Sequence, residues 1–92
     1  MIRLNCFIAV KDAKDCSRVV ELGKELVEAS LRDAGCVAYD LFVSATRPGV
    51  LMICETWKDQ TSLDAHSAAE HFTRLVPQIR ALAEMKLERF DF

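Results

Sequence analysis

The two histidines of the chain, His66 and His71, are the side chains best suited to acid–base chemistry. Imidazole is the only side chain that ordinarily gains or loses a proton near neutral pH. A neutral imidazole in a pocket could therefore take the proton of a weakly acidic ligand. Residues five positions apart diverge by about 140° on an ideal helix, so both rings face one pocket only if the helix breaks near Ser67. The alternative is that either ring caps or braces a kinked helix.

Tyr39 and two carboxylates are the next candidates. The hydroxyl of Tyr39 can donate and accept a hydrogen bond, so this residue is either a core tyrosine with a satisfied hydroxyl or a partner for a phenolic ligand. Asp40 and Glu55 are predicted to oppose each other across a hairpin. Two carboxylates that close cannot both be buried and ionised without a cation. They form either a general-base pair or an ion-pair network at a subunit interface.

Hydrophobic periodicity predicts the elements that position these residues. Strands are predicted over residues 1–10, 36–44, 50–57 and 84–92, and helices over residues 16–33 and 60–83. Pro77 is expected to kink or split the second helical region. The order βαββαβ is typical of an α+β, ferredoxin-like antiparallel sheet with two helices on one face. At 92 residues, residues 1–92 are expected to form a single domain.

The sheet face away from the helices is predicted to be apolar. A hairpin turn centred on Arg47-Pro48 places Tyr39 on the helix-covered face with Val50, Met52 and Cys54. The residues predicted on the other face are Phe7, Ala38, Asp40, Phe42, Leu51, Ile53, Glu55, Trp57 and either Phe90 or Phe92. Exposed apolar surface costs about 25 cal/mol per Å², and monomers rarely expose more than a few hundred Å² of it. We therefore expect a homodimer that forms through this sheet face.

The composition argues against several classes of protein. Twelve basic and 14 acidic residues without a basic run argue against binding to nucleic acid. No apolar segment approaches the roughly 20 residues of a membrane helix, and no signal-peptide pattern is present, so we expect a soluble, cytoplasmic protein that does not bind membranes. The four cysteines show no zinc-site spacing, and we expect free thiols and no metal.

An ordered series of short motifs runs through the chain. It consists of residues 35–41 (GCVAYDL), Glu55-Thr56-Trp57, Ala65-His66 and Glu70-His71-Phe72. The series resembles the antibiotic biosynthesis monooxygenase family over essentially the whole chain. The resemblance implies ferredoxin-like monomers that pair through their sheets into a dimeric α+β barrel. Enzymes of that family include monooxygenases that oxidise quinols or polycyclic phenols with dioxygen and without metal or flavin, haem-degrading enzymes, and an isomerase of a phosphorylated sugar.

The haem-degrading branch fits this sequence poorly. That branch has an Asn on the first strand, which Asn5 could match, a Trp on the second helical segment and a haem-ligating His farther along. Here His66 stands in the Trp position, and no histidine lies between Phe72 and Phe92. We therefore expect no haem and no other cofactor.

The resemblance and the residues together predict a cofactor-independent monooxygenase that oxidises a small quinol or phenol. His66 is the expected proton acceptor, and His71 and Tyr39 are expected to orient the substrate. The expected substrate-binding residues are Asn5, Trp57, Phe72 and Arg74.

Two alternatives belong to other functional classes. The first is an isomerase of a small phosphorylated or carbonyl metabolite, which would need a phosphate-binding pair such as Arg74 with Arg47. The second is a non-catalytic, ligand-binding stress-response module, which predicts a pocket closed by apolar side chains and both histidines pointing to solvent.

Overall fold

A four-stranded antiparallel sheet carries helices on one face in the computed structural model, which describes residues 1–92. The elements are β1 (Ile2–Val10), a single 3-10 turn (Ala13–Asp15), α1 (Cys16–Ser30), β2 (Cys36–Val43), β3 (Val50–Trp57), α2 (Gln60–Ala68), α3 (Glu70–Leu82) and β4 (Ala83–Asp91). The strands lie side by side in the order β2-β3-β1-β4, and each neighbouring pair is antiparallel. This arrangement confirms the predicted α+β, ferredoxin-like fold.

The second helical region is split at Ala69, not at Pro77. Ala69 has an extended backbone (φ −69°, ψ 151°) between the last turn of α2 and the first turn of α3. Helix α3 continues through Pro77, because this residue is exposed and water can replace the hydrogen bond that proline cannot donate. The break lies two residues from Ser67, near which a break was needed for both histidines to face one pocket, whereas the predicted break at Pro77 is wrong. None of the helices is long and apolar enough to span a membrane.

The turn from α1 to β2 is held against the start of α2. Gly35 has φ +78°, a conformation that favours glycine, and a Cβ atom at this position would overlap Ser62 Oγ. Ser62 is held by Asp59, whose Oδ1 accepts hydrogen bonds from the backbone N–H (2.9 Å) and the hydroxyl (2.7 Å) of Ser62. This cap fixes the beginning of α2 and brings the α1–β2 turn, with Asp33, next to the second helical region.

The predicted register of the β2–β3 hairpin is wrong by one residue. Tyr39 pairs with Glu55 and Leu41 pairs with Ile53, so the loop is centred on Arg47 and not between Arg47 and Pro48, and each residue of β2 pairs one position away from the expected partner. Ser44 Oγ accepts hydrogen bonds from two backbone N–H groups inside the loop, and Gly49 closes the loop with φ +75°. A shift of one residue moves every side chain of a strand to the opposite face.

Because of this shift, the residues of β3 lie on the faces opposite to those predicted for them. The β3 residues that were predicted on the uncovered face are instead buried on the helix-covered face: Leu51, Ile53, Glu55 and Trp57. Val50, Met52 and Cys54, which were predicted against the helices, alternate with them and are only half-buried. The uncovered face keeps Phe7, Phe42 and Phe90, which are 39%, 50% and 50% exposed.

Candidate functional site

A cavity of about 170 Å³ lies between the helices and the sheet, and most of its wall is apolar. An engineered cavity of about 150 Å³ holds one benzene molecule, so the space suits a ligand with one aromatic ring. The polar and charged residues of the wall are Tyr39, Glu55, His66, Ser67, Arg80 and Lys86. Three of these side chains, Tyr39, Glu55 and His66, are both ionisable and buried.

Asp33, in the turn after α1, binds both histidines with a single oxygen atom. Its Oδ2 lies 2.8 Å from His66 Nδ1 and 2.8 Å from His71 Nε2. An ionised carboxylate only accepts hydrogen bonds, so each of these ring nitrogens carries a hydrogen and donates a hydrogen bond to Asp33. Asp33 Oδ2, His66 Nδ1 and His71 Nε2 lie within 4.8 Å of one another. The two 2.8 Å separations are those of charge-assisted hydrogen bonds.

His66 presents its other ring nitrogen without a partner. The side chain is 1% exposed, and Nε2 forms no hydrogen bond. Burial lowers the pKa of His66, and this effect outweighs the hydrogen bond and negative charge of Asp33, which raise it. The imidazole is therefore neutral near pH 7, with the proton on Nδ1 and a free electron pair on Nε2. His66 is part of the cavity wall and Asp33 is not, and Nε2 is the ring nitrogen of His66 that has no partner within the protein.

Three aromatic rings hold His66 in this position. The ring centroids of Trp57, Phe72 and Tyr39 lie 4.5, 5.2 and 5.5 Å from the centroid of the imidazole. Tyr39 and Phe72 also line the cavity, as the sequence predicted for a site, whereas Trp57 is 0% exposed and does not. Trp57 therefore supports the back of His66 and has no surface for a substrate, contrary to its predicted role in substrate binding.

The break at Ala69 has a different consequence from the expected one. It brings His66 and His71 to a common carboxylate and not to a common pocket, because His71 does not line the cavity. His71 is therefore placed to orient Asp33, and its predicted direct contact with substrate is not supported by the geometry. Asp33 was not predicted as a site residue, because a single acidic residue in a turn belongs to no periodic sequence pattern.

Glu55 is the second buried ionisable group at the cavity. Its side chain on β3 accepts a hydrogen bond from Trp57 Nε1–H at 2.9 Å. Burial raises the pKa of Glu55, and the hydrogen bonds of Trp57 and Tyr39 oppose that shift. Burial, followed by the negative charge of Glu55, likewise raises the pKa of Tyr39. The predicted pair with Asp40 is wrong, because Asp40 lies opposite Cys54 on the uncovered face.

Two predicted substrate contacts lie away from the cavity. Asn5 is on the uncovered face, where its Nδ2 donates a hydrogen bond to Glu88 Oε1 at 3.0 Å. Arg74 is on the surface and pairs with Glu25 and Glu70 at 2.7 Å each. Asn5 points away from the cavity because side chains alternate along β1. Arg74 points away from it because this residue lies on the outer surface of α3.

Comparison with known proteins gives concordant matches. The family model described as "Antibiotic biosynthesis monooxygenase" matches residues 1–78. YcnE of Bacillus subtilis (strain 168), provisionally named a monooxygenase, is 30% identical over 88 residues, which are 96% of this chain and 92% of YcnE.

Solved structures resemble the chain over its whole length. A Bacteroides thetaiotaomicron VPI-5482 protein of unknown function, described as a possible oxidoreductase, is 48% identical with a TM-score of 0.95, over 99% of this chain and 96% of that one. A structure described as an antibiotic biosynthesis monooxygenase is 37% identical with a TM-score of 0.91, over 100% of this chain and 98% of that one.

Proposed function

The chain belongs to the antibiotic biosynthesis monooxygenase family, and from that premise we propose that it is a cofactor-independent monooxygenase of a small quinol or phenol. The family match extends to residue 78, and we propose that residues 1–92 form one such domain. The observation that carries the proposed activity is the unpartnered Nε2 of His66, in a largely apolar cavity, with Nδ1 held by Asp33.

The first step is the transfer of a phenolic proton to His66 Nε2. The carboxylate of Asp33 stabilises the resulting imidazolium and keeps the ring oriented, as in other Asp–His pairs. The quinol anion is much richer in electrons than the neutral quinol and can pass one electron to dioxygen. Proton removal is therefore the contribution that the protein itself must make to a reaction without a cofactor.

The remaining steps balance without another reactant. The two radicals join through a new carbon–oxygen bond, and the imidazolium returns its proton to the outer oxygen, which gives a hydroperoxide. Cleavage of the oxygen–oxygen bond with loss of the proton on the same ring carbon releases water and leaves a hydroxyquinone. One oxygen atom enters the product and the other leaves as water, and the quinol supplies all four electrons. The apolar wall keeps water away from the radical pair.

The features expected for the two alternative functions do not lie where they were predicted. An isomerase was expected to bind phosphate through Arg74 and Arg47, and neither residue lines the cavity, although Arg80 and Lys86 do. A non-catalytic module was expected to turn both histidines to solvent, but His66 is 1% exposed. Monooxygenation of a small quinol therefore accounts best for the arrangement.

We also propose a homodimer that forms through the uncovered face of the sheet. Phe7, Phe42 and Phe90 are exposed there, and exposed aromatic clusters mark interaction surfaces more often than free surfaces. Sedimentation equilibrium at micromolar concentration should give twice the mass of the chain. A stable monomer under these conditions would contradict the dimer.

Oxygen uptake by metal-stripped protein tests the proposed activity. With a panel of small hydroquinones we expect one dioxygen consumed per hydroxyquinone formed, and mass spectrometry should show one labelled oxygen in the product from ¹⁸O₂. Uptake should be insensitive to chelators. No uptake with any hydroquinone, or uptake that requires added flavin or iron, would refute the proposal.

A further inference from the structure

The carboxyl group of Glu55 has no role in the steps described above, although it lines the same cavity as His66. Glu55 is 6% exposed and forms no ion pair; its carboxyl group accepts a hydrogen bond from Trp57 Nε1–H and forms another with Tyr39. A carboxylate can accept about four hydrogen bonds, so these two partners leave part of this capacity unused. A buried carboxyl group without a cation is costly to the fold, and such costs are characteristic of functional positions.

We propose that Glu55 forms a second polar subsite, which binds the second hydroxyl of a single-ring dihydroxy aromatic substrate while the first hydroxyl binds His66 Nε2. This inference rests on the proposed function, since it takes His66 as the base of the site. It adds a substrate class and a residue that selects that class.

The positions of the two groups support two-point binding. Glu55 projects from β3 in the sheet and His66 from the last turn of α2, so the two side chains belong to different walls of one cavity. The volume of about 170 Å³ is only slightly larger than the roughly 150 Å³ that accommodates benzene. One ring with two small oxygen substituents fits this space, whereas three fused rings do not.

The chemistry of the carboxyl group suits a hydroxyl ligand. In either protonation state a carboxyl group has an oxygen that accepts a hydrogen bond from a substrate hydroxyl. Burial also raises the pKa of Glu55, which increases the share of the neutral form and avoids a fixed negative charge next to the substrate anion. A substrate without a second hydroxyl would leave the buried carboxyl partly unsatisfied, and such a loss strongly discriminates between ligands.

Equilibrium binding without oxygen tests the subsite separately from turnover. By anaerobic calorimetry we expect the wild-type protein to bind 1,4-benzenediol about tenfold more tightly than phenol, as one additional hydrogen bond implies. We expect 4-methoxyphenol, which lacks the second donor, to bind like phenol, and 1,4-anthracenediol not to bind. Equal affinities for 1,4-benzenediol and phenol, or tight binding of the three-ring diol, would overturn the inference.

Variants of Glu55 locate the effect. Glu55→Leu should abolish the preference for the diol and leave phenol binding within about twofold, whereas Glu55→Gln, which keeps an acceptor oxygen, should retain most of the preference. Asp40→Asn, a matched change on the uncovered face, should alter neither affinity. A Glu55→Leu protein that keeps the tenfold preference would overturn the subsite, and if this variant does not fold, the wild-type ligand series decides alone.

The two proposals fail in different ways. Loss of the diol preference with oxygen uptake intact removes only the Glu55 subsite. An intact preference without oxygen uptake by any hydroquinone removes only the proposed oxygenation.

Discussion

Ionisable side chains lie on both sides of the sheet, but their environments differ. On the helix-covered side, Glu55 of the sheet and His66 of α2 are buried among aromatic rings, and burial shifts the pKa of each in the direction that favours its neutral form. On the uncovered face, Asp40 and Glu88 are exposed to water. Their carboxylates accept ordinary hydrogen bonds, from the Leu41 backbone and the Asn5 amide. Chemistry is therefore expected where a polar group is deprived of water, not where polar groups are most numerous.

The largest difference in activity between variants of the two sides is expected on removal of the His66 imidazole. His66→Ala deletes the group to which we assign proton acceptance, and general-base catalysis is worth about 10²–10⁴-fold. We expect kcat/KM for quinol oxidation, measured by oxygen uptake, to fall by a factor in this range. Asn5→Ala on the uncovered face serves as the control and should stay within about twofold of the wild type. Unchanged activity of His66→Ala would remove His66 from the mechanism.

Substitution of Asp33 should have a smaller effect, since Asp33 acts through His66. In Asp33→Asn the amide can donate to His66 Nδ1 and so favour the tautomer with the proton on Nε2, which cannot act as a base. We expect kcat/KM to fall, by less than in His66→Ala, because part of the His66 population in this variant keeps the free electron pair on Nε2. Asp40→Asn is the matched control on the uncovered face.

A spectroscopic measurement distinguishes positioning by Asp33 from a general structural role. The ¹⁵N chemical shifts of His66 should report a proton on Nδ1 in the wild type and a substantial population with the proton on Nε2 in Asp33→Asn. A variant that loses activity but keeps the wild-type tautomer would show that Asp33 acts in another way.

The fold could be predicted from the sequence because its signals are local. The alternation of residues 1–10 and the helical spacing of residues 16–33 are both visible in short windows. The hairpin register could not be predicted, because it depends on how Ser44 and Gly49 centre the loop. Because the observed register differs by one residue from the predicted one, Glu55 lies at the cavity and not on the uncovered face.

Only those site residues that are recognisable by type and local spacing could be predicted from the sequence. His66, Tyr39 and Phe72 were identified by type and spacing, and the cavity contains all three. Asp33 was missed because its partners lie 33 and 38 residues away, and only the fold creates those contacts. The sequence therefore indicates which groups can do chemistry, while long-range packing decides which of them meet.

The smallest expected difference between the two faces concerns stability. Because the pKa of Glu55 is raised above its usual value of 4.5 by burial, ionisation of this group opposes folding as the pH increases. Glu55→Gln keeps an acceptor for Trp57 Nε1–H and cannot ionise. The variant should therefore match the wild type at pH 4 and have a higher free energy of unfolding than the wild type at pH 8, because only the wild type then carries the cost of a buried charge.

Urea denaturation at the two pH values measures this difference, and Asp40→Asn provides the comparison. Asp40 is exposed on the surface of the chain, so its substitution should change the free energy of unfolding by less than about 0.5 kcal/mol at either pH. A gain in Glu55→Gln that is the same at pH 4 and pH 8 would show that the variant improves packing and not that it removes a buried charge. In that case the contrast between the two faces would rest on His66 alone.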